Sequence, residues 1–427
     1  MGFPQLSVTK VDAETLSVTQ QWFLANGSGK GETRRWTVPI FVATHEEPIP
    51  RQVGVYTAAV GDAPFSIAVK SAKWIKLNAG QHVMARVLYE AEQYDALVEA
   101  CAQRPCPLSA EDRVALISDA YAFAKAGELD AAYALRFIGA CAQDESATVW
   151  EEIESVLKAY DAVCVSDDAM HAALGAFGEA MLRCLGEKVG WTPSESDGHM
   201  TRKLRAVMLR LHAKFSTADP AIAARAQALF ETPDAVSADL RGAIFVIALK
   251  SSSDADAATR HAALMARFNG TEDPALRKEV MLAIGAVPTV ELKEQVMAWT
   301  ATENKIQDFF YPMASVAGSG AEGRDIAWAY MTSHWAEIRA RVADASASLT
   351  AAVVAFCTRS FATAAKADEI EAFFLANPCE SVSRKVAQVV EAIRTKATFF
   401  DSYVSASTLK QSQFWIDLTT AVNESAE

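Results

Sequence analysis

His45-Glu46-Glu47-Pro48-Ile49 is where this 427-residue sequence comes nearest to a metal-hydrolase motif. Zinc hydrolysis needs H-E-x-x-H on a helix, so that two imidazoles one turn apart hold the ion while the Glu activates water. Here Ile49 replaces the second histidine, and Pro48 would break the helix that must carry both ligands. The other histidines, His82, His171, His199, His212, His261 and His334, show no metal spacing with a carboxylate or thiol. No G-x-S-x-G elbow, P-loop or G-x-G-x-x-G after a strand occurs. Gly27-Ser28-Gly29-Lys30-Gly31 is glycine-rich but opens no helix, and reads as a hairpin loop. The pairs Glu151-Glu152 and Asp167-Asp168 are adjacent in sequence and read as solvated. Seven cysteines, Cys101, Cys106, Cys141, Cys164, Cys184, Cys357 and Cys379, form no C-x-x-C and no disulfide framework. They read as buried thiols of a reducing compartment. No residue is assigned a catalytic, cofactor-binding or metal-ligating role.

Composition narrows the partners. With 51% hydrophobic residues the chain is no disordered polymer, and its net charge of −13 opposes nucleic-acid binding, which needs a basic surface. No apolar run approaches the roughly 18 residues of a membrane span, and the N-terminus lacks a basic stretch followed by an apolar one. The expectation is a soluble, unaddressed cytoplasmic chain with no membrane or nucleic-acid partner.

The apolar spacing changes character near residue 88. Before it, β-branched and aromatic runs alternate with Gly, Pro and Asn turns; after it the spacing is helical to the end. Strands are predicted from Phe3 to Val8, Thr15 to Phe23 and Trp36 to Val42, with Asn26-Gly27-Ser28-Gly29 closing a hairpin between the last two. Two final strands, around Trp74–Leu77 and Val83–Tyr89, are predicted as a hairpin about Asn78-Ala79-Gly80. Residues 1–88 thus read as a small all-β sandwich with Trp36 and Trp74 inward, and by default as a spacer. Residues 89–427 read as a large all-α, HEAT- or armadillo-like superhelix of paired helices without a fixed sequence period. Ser109-Ala110-Glu111-Asp112 is a capping box for a helix that stops at Gly127, and another helix starts after Asp130. Asp219-Pro220 and Asp273-Pro274 are acidic caps before a first-turn proline; Gly285 and Gly323 read as stops or turns. Exposed loops are expected at Gly186–Asp197 and Ser251–Asp256.

Several of these runs carry a resemblance. Trp74-Ile75-Lys76-Leu77-Asn78 and Arg86-Val87-Leu88-Tyr89 match the W-I-K-x-N and R-V-x-Y segments of gluzincin zinc aminopeptidases of the puromycin-sensitive and endoplasmic-reticulum type. A usual Gly-Phe-Tyr before the Arg is here Val83-Met84-Ala85. Asp112-Arg113 with Leu116-Ile117 and Asp119-Ala120 match the D-R-x-x-L-I-x-D-A run of that family. Gly190-Trp191, Leu204-Arg205, Gln307-Asp308, Ala327-Trp328, Trp335, Phe361-Ala362-Thr363 and Phe373-Phe374 follow in family order. The chain therefore resembles the part of that family that follows its catalytic domain.

What the resemblance implies is a β-sandwich spacer and a helical bowl that closes over the active site of an aminopeptidase, itself without zinc. The metal is expected only in a catalytic domain outside this chain, since neither H-E-x-x-H nor the G-A-M-E-N exopeptidase loop is present. The partners so implied are peptide and that catalytic domain. In relatives a Q-D helix and the glycine-bearing loop after it face the internal cavity, which makes Gln307, Asp308, Gly318 and Ser319 the candidate peptide contacts. Ala314 and Ser319 stand where relatives often carry a basic or amide side chain, so peptide capture is expected to rest on hydrogen bonds and apolar contact. The alternative is a stand-alone HEAT-like scaffold that binds peptide or protein on its concave face without activity. Met1 directly before Gly2-Phe3-Pro4 leaves both open, as an authentic start or an internal methionine of a longer chain.

Overall fold

The computed structural model describes residues 2–425 apart from 13, 26, 28–30, 32, 58–62, 70–71, 304 and 343–346. Among the described residues, seven strands precede eighteen α-helices. The strands are β1 (Phe3–Lys10), β2 (Thr15–Phe23), β3 (Val38–Thr44), β4 (Arg51–Tyr56), β5 (Phe65–Ala68), β6 (Ile75–Leu77) and β7 (Arg86–Leu88). They form two sheets, ordered β5-β2-β1-β7 and β4-β3-β6. Period-two alternation sets the inner faces: Leu6 and Val8, Leu16 and Val18, and Val38, Ile40 and Val42 are all buried. Trp74 is buried as expected, whereas Trp36 is only half-buried.

Neither expected hairpin forms. Asn26, Ser28 and Gly29 lie outside the described residues, but β2 pairs with β1 and β5, and β3 with β4 and β6, so the chain changes sheets between β2 and β3. Gln20 ties the change together, its amide accepting from the Trp36 N–H at 2.6 Å and donating to the Trp36 carbonyl at 3.0 Å. The second supposed hairpin is also a change of sheet. β6 pairs antiparallel with β3, while β7 pairs parallel with β1. The positive φ expected at the turn is there, at Asn78 (51°), Gly80 (71°) and Gln81 (53°). It serves a short 3₁₀ turn that Asn78 braces through Val83, accepting from its N–H at 3.1 Å and donating to its carbonyl at 2.9 Å.

The first helices are α1 (Ala91–Ala102), α2 (Ala110–Lys125), α3 (Ala132–Ala140), α4 (Ala147–Cys164) and α5 (Asp168–Val189). Next come α6 (His199–Phe215), α7 (Pro220–Glu231), α8 (Ala238–Lys250), α9 (Asp254–Gly270), α10 (Pro274–Ala283), α11 (Val290–Glu303) and α12 (Phe310–Ala317). The last are α13 (Ala321–Ser333), α14 (Trp335–Val342), α15 (Ala347–Thr358), α16 (Ala364–Ala376), α17 (Ser383–Thr398) and α18 (Ser412–Glu424). The fold is a β-sandwich followed by an α-solenoid. The residues gather into two compact units, one of 1–160, 183–185 and 398–427, the other of 161–182 and 186–397. Within the second unit α6, α8, α10, α12 and α15 touch in succession, each skipping a helix or two, as one layer of a stacked-pair array does.

Caps fall where the sequence puts them. Ser109 accepts from the Asp112 N–H, and Asp219 and Asp273 accept from Ala221 and Ala275 ahead of their prolines. Gly127 takes a φ of 72° past the end of α2. Gly285 follows the end of α10 as expected, whereas Gly323 is neither a stop nor a turn. Gly323 lies in the first turn of α13, and Gly285 in a short 3₁₀ turn after α10. Both serve close approach: a Cβ at either would collide with the Val316 backbone. Gly186 belongs to the last turn of α5, so that loop begins at Gly190.

The sandwich is fastened to α2. Asp112 and Asp119 are seven residues apart, two turns on one helix face. Asp112 accepts from the Gly80 N–H at 2.9 Å and lies 3.5 Å from the ammonium of Lys76, a side chain only 1% exposed. Lys76 also donates to the Leu77 carbonyl at 2.7 Å. Asp119 accepts from Arg86 at 2.7 Å and from the Val87 N–H at 3.0 Å. Burial pushes Lys76 below the usual lysine range and Asp119 above the usual carboxylate range, with Asp112 and Arg86 pulling each back. Around these polar contacts Phe23 meets Phe123 edge-on at 5.4 Å, with Phe3 and Leu88 packed beside them. Breaking a buried pair leaves a stranded charge, at a cost of about 3 kcal/mol. Asp112→Ala should lower the denaturant midpoint accordingly, and Lys76→Met in the same chain should recover part of the loss. An Asp112→Ala chain as stable as its parent contradicts the assignment.

Candidate functional site

The residues singled out for peptide contact flank α12, and they do not converge on one point. Gln307 and Asp308 are not helical: they sit on the turn that enters α12, where the Asp308 and Phe309 N–H groups donate to the Lys305 carbonyl at 2.9 and 3.1 Å. Gln307 is exposed and Asp308 half-buried. At the other end Gly318 is the exposed C-cap, its N–H donating to Ala314 at 3.0 Å, and the Ser319 hydroxyl donates to the Val316 carbonyl at 2.8 Å. Eight residues at the helical rise separate these ends by about 12 Å. Between them Pro312 through Ala317 are buried, Ala314 included, because α12 packs against α10, α11, α13 and α15.

The entering turn has an aromatic edge that local spacing does not reveal. Phe310 lies 4.4 Å from Tyr311 and stacks on Phe356 of α15 at 5.6 Å with the planes 5° apart. Lys278 of α10 is exposed and places its ammonium 5.1 Å from the Tyr311 ring centre. Ile306 is exposed on the same turn. Lys278 lies 33 residues before Tyr311 and Phe356 46 residues after Phe310, so only the fold brings them to this turn.

The remaining family landmarks prove to be fasteners. Arg205 holds the start of the loop after α5, donating to Val189 and Gly190 at 2.9 and 3.1 Å and pairing with Asp197 at 2.8 Å. Trp191 stacks on His212 at 5.7 Å. Trp328 donates to Glu369 at 2.5 Å and meets Phe361 and Phe373 edge-on, while Trp335 meets Phe373 and Phe374. Thr363 caps α16. Asp161 lies between His171 at 2.9 Å and Lys214; burial pushes its carboxyl up, but the hydrogen bond to His171 and the Lys214 ammonium hold it below the usual range. Burial pushes Lys250 down to about 8. Neither cluster sets a nucleophile beside a base, and among the described residues no three His, Cys, Asp or Glu side chains converge as a metal site.

A family model described as the ERAP1-like C-terminal domain matches residues 74–395. The chain belongs to that family. The chain aligns with the alanine/arginine aminopeptidase of Saccharomyces cerevisiae at 24% identity, over 97% of this chain and 47% of the relative. It aligns with the puromycin-sensitive aminopeptidase of Caenorhabditis elegans at 25%, over 96% of this chain and 44% of the relative. Aminopeptidase M1 of Arabidopsis thaliana matches at 23% over 96% and 47%. The chain thus spans about half the length of the curated relatives it matches.

The geometry around Trp191 makes one pH effect testable. His212 is buried, neither ring nitrogen has a protein hydrogen-bond partner, and burial lowers it to about 4 although Asp219 pulls the other way. A histidine with a folded pKa below its unfolded value binds fewer protons when folded, so stability falls as pH drops from about 6.5 toward about 4. Between pH 7 and pH 4.5 this one group should remove about 2 to 3 kcal/mol. His212→Phe should lose less stability over that interval than the parent by this amount; equal slopes in the two chains contradict it.

Proposed function

We propose that this chain is the part of a zinc aminopeptidase that follows the catalytic domain, with the sandwich as spacer and the helical array enclosing the peptide being trimmed. The observation that carries this is the pairing of two facts: relatives aligned over 93–97% of the chain all bear aminopeptidase names, and the chain covers under half of each. Zinc, its ligands and the water-activating glutamate then belong to a catalytic domain outside this sequence, which contains no H-E-x-x-H. Cysteines present as thiols fit a cytoplasmic setting.

Peptide contact on this reading falls along α12. An extended chain rises about 3.3 Å per residue, so about four residues of peptide span the 12 Å or so of α12. Gln307 offers hydrogen bonds, Tyr311 an aromatic edge, and Gly318 a backbone without a side chain in the way. Ala314 is buried and contacts nothing outside, and the Ser319 hydroxyl is already bonded to Val316. Lys278 and Lys305 are exposed cations beside this segment, but an exposed charge contributes little once screened.

The test uses the chain alone and fused to a family catalytic domain. The chain alone should bind no stoichiometric zinc and hydrolyse no aminoacyl reporter; one tightly held zinc per chain overturns the assignment. Peptides of graded length should bind the fusion with affinity changed less than about threefold between about 0.05 and 0.5 M salt, where the Debye length falls from over ~10 Å to under ~5 Å. Gln307→Ala should weaken binding or shift the length preference. If no peptide binds either form, or Gln307→Ala alters only thermal stability, the array is a protein-interaction scaffold instead.

A further inference from the structure

A cavity of about 630 Å³ lies in the first compact unit, with α18 on one side and α1 and α3 on the other. On α18 it is lined by Phe414, Asp417, Leu418 and Ala421, at the three- and four-residue spacing of one helix face. Trp415 and Val422, on the neighbouring face, are buried and anchor that helix. The opposite wall includes Val98 of α1 and Tyr133 and Ala140 of α3. The charged side chains that line the space are answered unequally. Arg136 pairs with Asp95 at 2.6 Å. Asp130 accepts from the Ala132 N–H at 2.8 Å and from the Thr408 N–H and hydroxyl at 3.1 and 2.9 Å. Arg104 is exposed in the connection from α1 to α2, and donates only to the carbonyls of Cys101, Gln103 and Ala140, at 2.9, 2.7 and 3.1 Å. That connection also carries Cys106, which is half-buried like Cys379, so two of the seven thiols are less enclosed than the sequence suggests. Asp417 is exposed and accepts from the Gln413 amide at 2.7 Å. Among the described residues neither Arg104 nor Asp417 has an ion-pair partner, and the two do not meet each other although they line one cavity.

We propose that this cavity binds a short apolar peptide as its zwitterion, with the peptide carboxylate on Arg104, its ammonium on Asp417 and its side chains against Val98, Tyr133, Phe414 and Leu418. The volume is in the range of sites that enclose drug-sized ligands. A single amino acid leaves most of it empty, whereas a di- or tripeptide fills it. The apolar walls supply the burial, and the two unanswered charges decide what may be buried there. A fatty acid would set its apolar tail against the Asp417 carboxylate, and an alkylamine would do the same to Arg104, so each leaves one charge without a partner. A zwitterion with an apolar body answers both. Arg104 uses three of the five N–H donors of a guanidinium on carbonyls, which leaves two for a carboxylate. Arg136 and Asp130 already have partners and hold the wall in place. The cavity belongs to the first compact unit and α12 to the second, so the assignment does not rest on the peptide contact proposed along α12.

The experiment is calorimetric titration of the whole chain with the dipeptide leucyl-phenylalanine, its N-acetyl form and its C-terminal amide. The free dipeptide should bind one to one, and each capped form on the order of tenfold more weakly. Arg104→Gln should bring the free dipeptide down to the level of the amide and leave binding of the amide unchanged. Asp417→Asn should do the same with respect to the N-acetyl form. Both positions are exposed, and an unchanged melting curve confirms folding. Ala421→Trp, also at an exposed position, places an indole in the cavity and should abolish binding, whereas Gln307→Ala should leave it unchanged. No binding to the parent chain, equal binding of free and capped dipeptides, binding undiminished in Ala421→Trp, or loss of binding in Gln307→Ala each overturns the proposal.

Discussion

Lys76 has to be buried, and most of the first compact unit follows from how its charge is answered. The lysine sits in β6 just before the chain leaves one sheet for the other, where no solvent reaches its ammonium. A buried cation is tolerable only with a partner and filled hydrogen bonds, and α2 supplies both by presenting two carboxylates two turns apart. Asp112 answers Lys76 and the Gly80 amide; Asp119 answers Arg86 and the Val87 amide. Each carboxylate thus ties one side of the sheet change to the same helix. The turn between them can then take the left-handed backbone of Asn78 and Gly80 and send β7 parallel to β1. Arg113, beside Asp112, faces the other way to Asp144 and carries the same fastening on to the start of α4.

The run that marks the family is therefore the run that holds the sandwich to the helices. The same holds in the second unit, where Arg205, Trp191, Trp328 and the Phe373-Phe374 pair close loops and fill a core. A family signal built from such residues reports architecture strongly and chemistry weakly. It is consistent that the segment proposed to meet peptide is a buried, apolar helix whose two ends alone are exposed.

Much of the local structure was legible because it depends on near neighbours. Ser109, Asp219 and Asp273 cap helices for reasons contained in three or four residues, and the alternation in Thr15–Phe23 marks the extent of β2. Strand partnership was not legible. Asn78 and Gly80 signal positive φ, but positive φ serves a change of sheet as well as a hairpin, and Asp112, 32 residues downstream of Gly80, decides which. Gly323 looked like punctuation and is instead a contact point for Val316, while Gly285 both marks the end of α10 and makes the same close approach. The candidate site divides in the same way: Gln307 and Gly318 could be named from their run, whereas Lys278 and Phe356 join it only through the stacking of α10, α12 and α15.

The central claim is that α2 holds the two ends of the sheet change as one body. Native-state hydrogen exchange at the Gly80 and Val87 amides tests it most directly, because these are the two N–H groups the α2 carboxylates accept. The account predicts that both amides exchange only in the opening that exposes the middle of α2, with the same denaturant dependence as Leu116 and Ala120. Free exchange at Gly80 and Val87 while those α2 amides remain protected would show that the strands part from the helix on their own, and would contradict it.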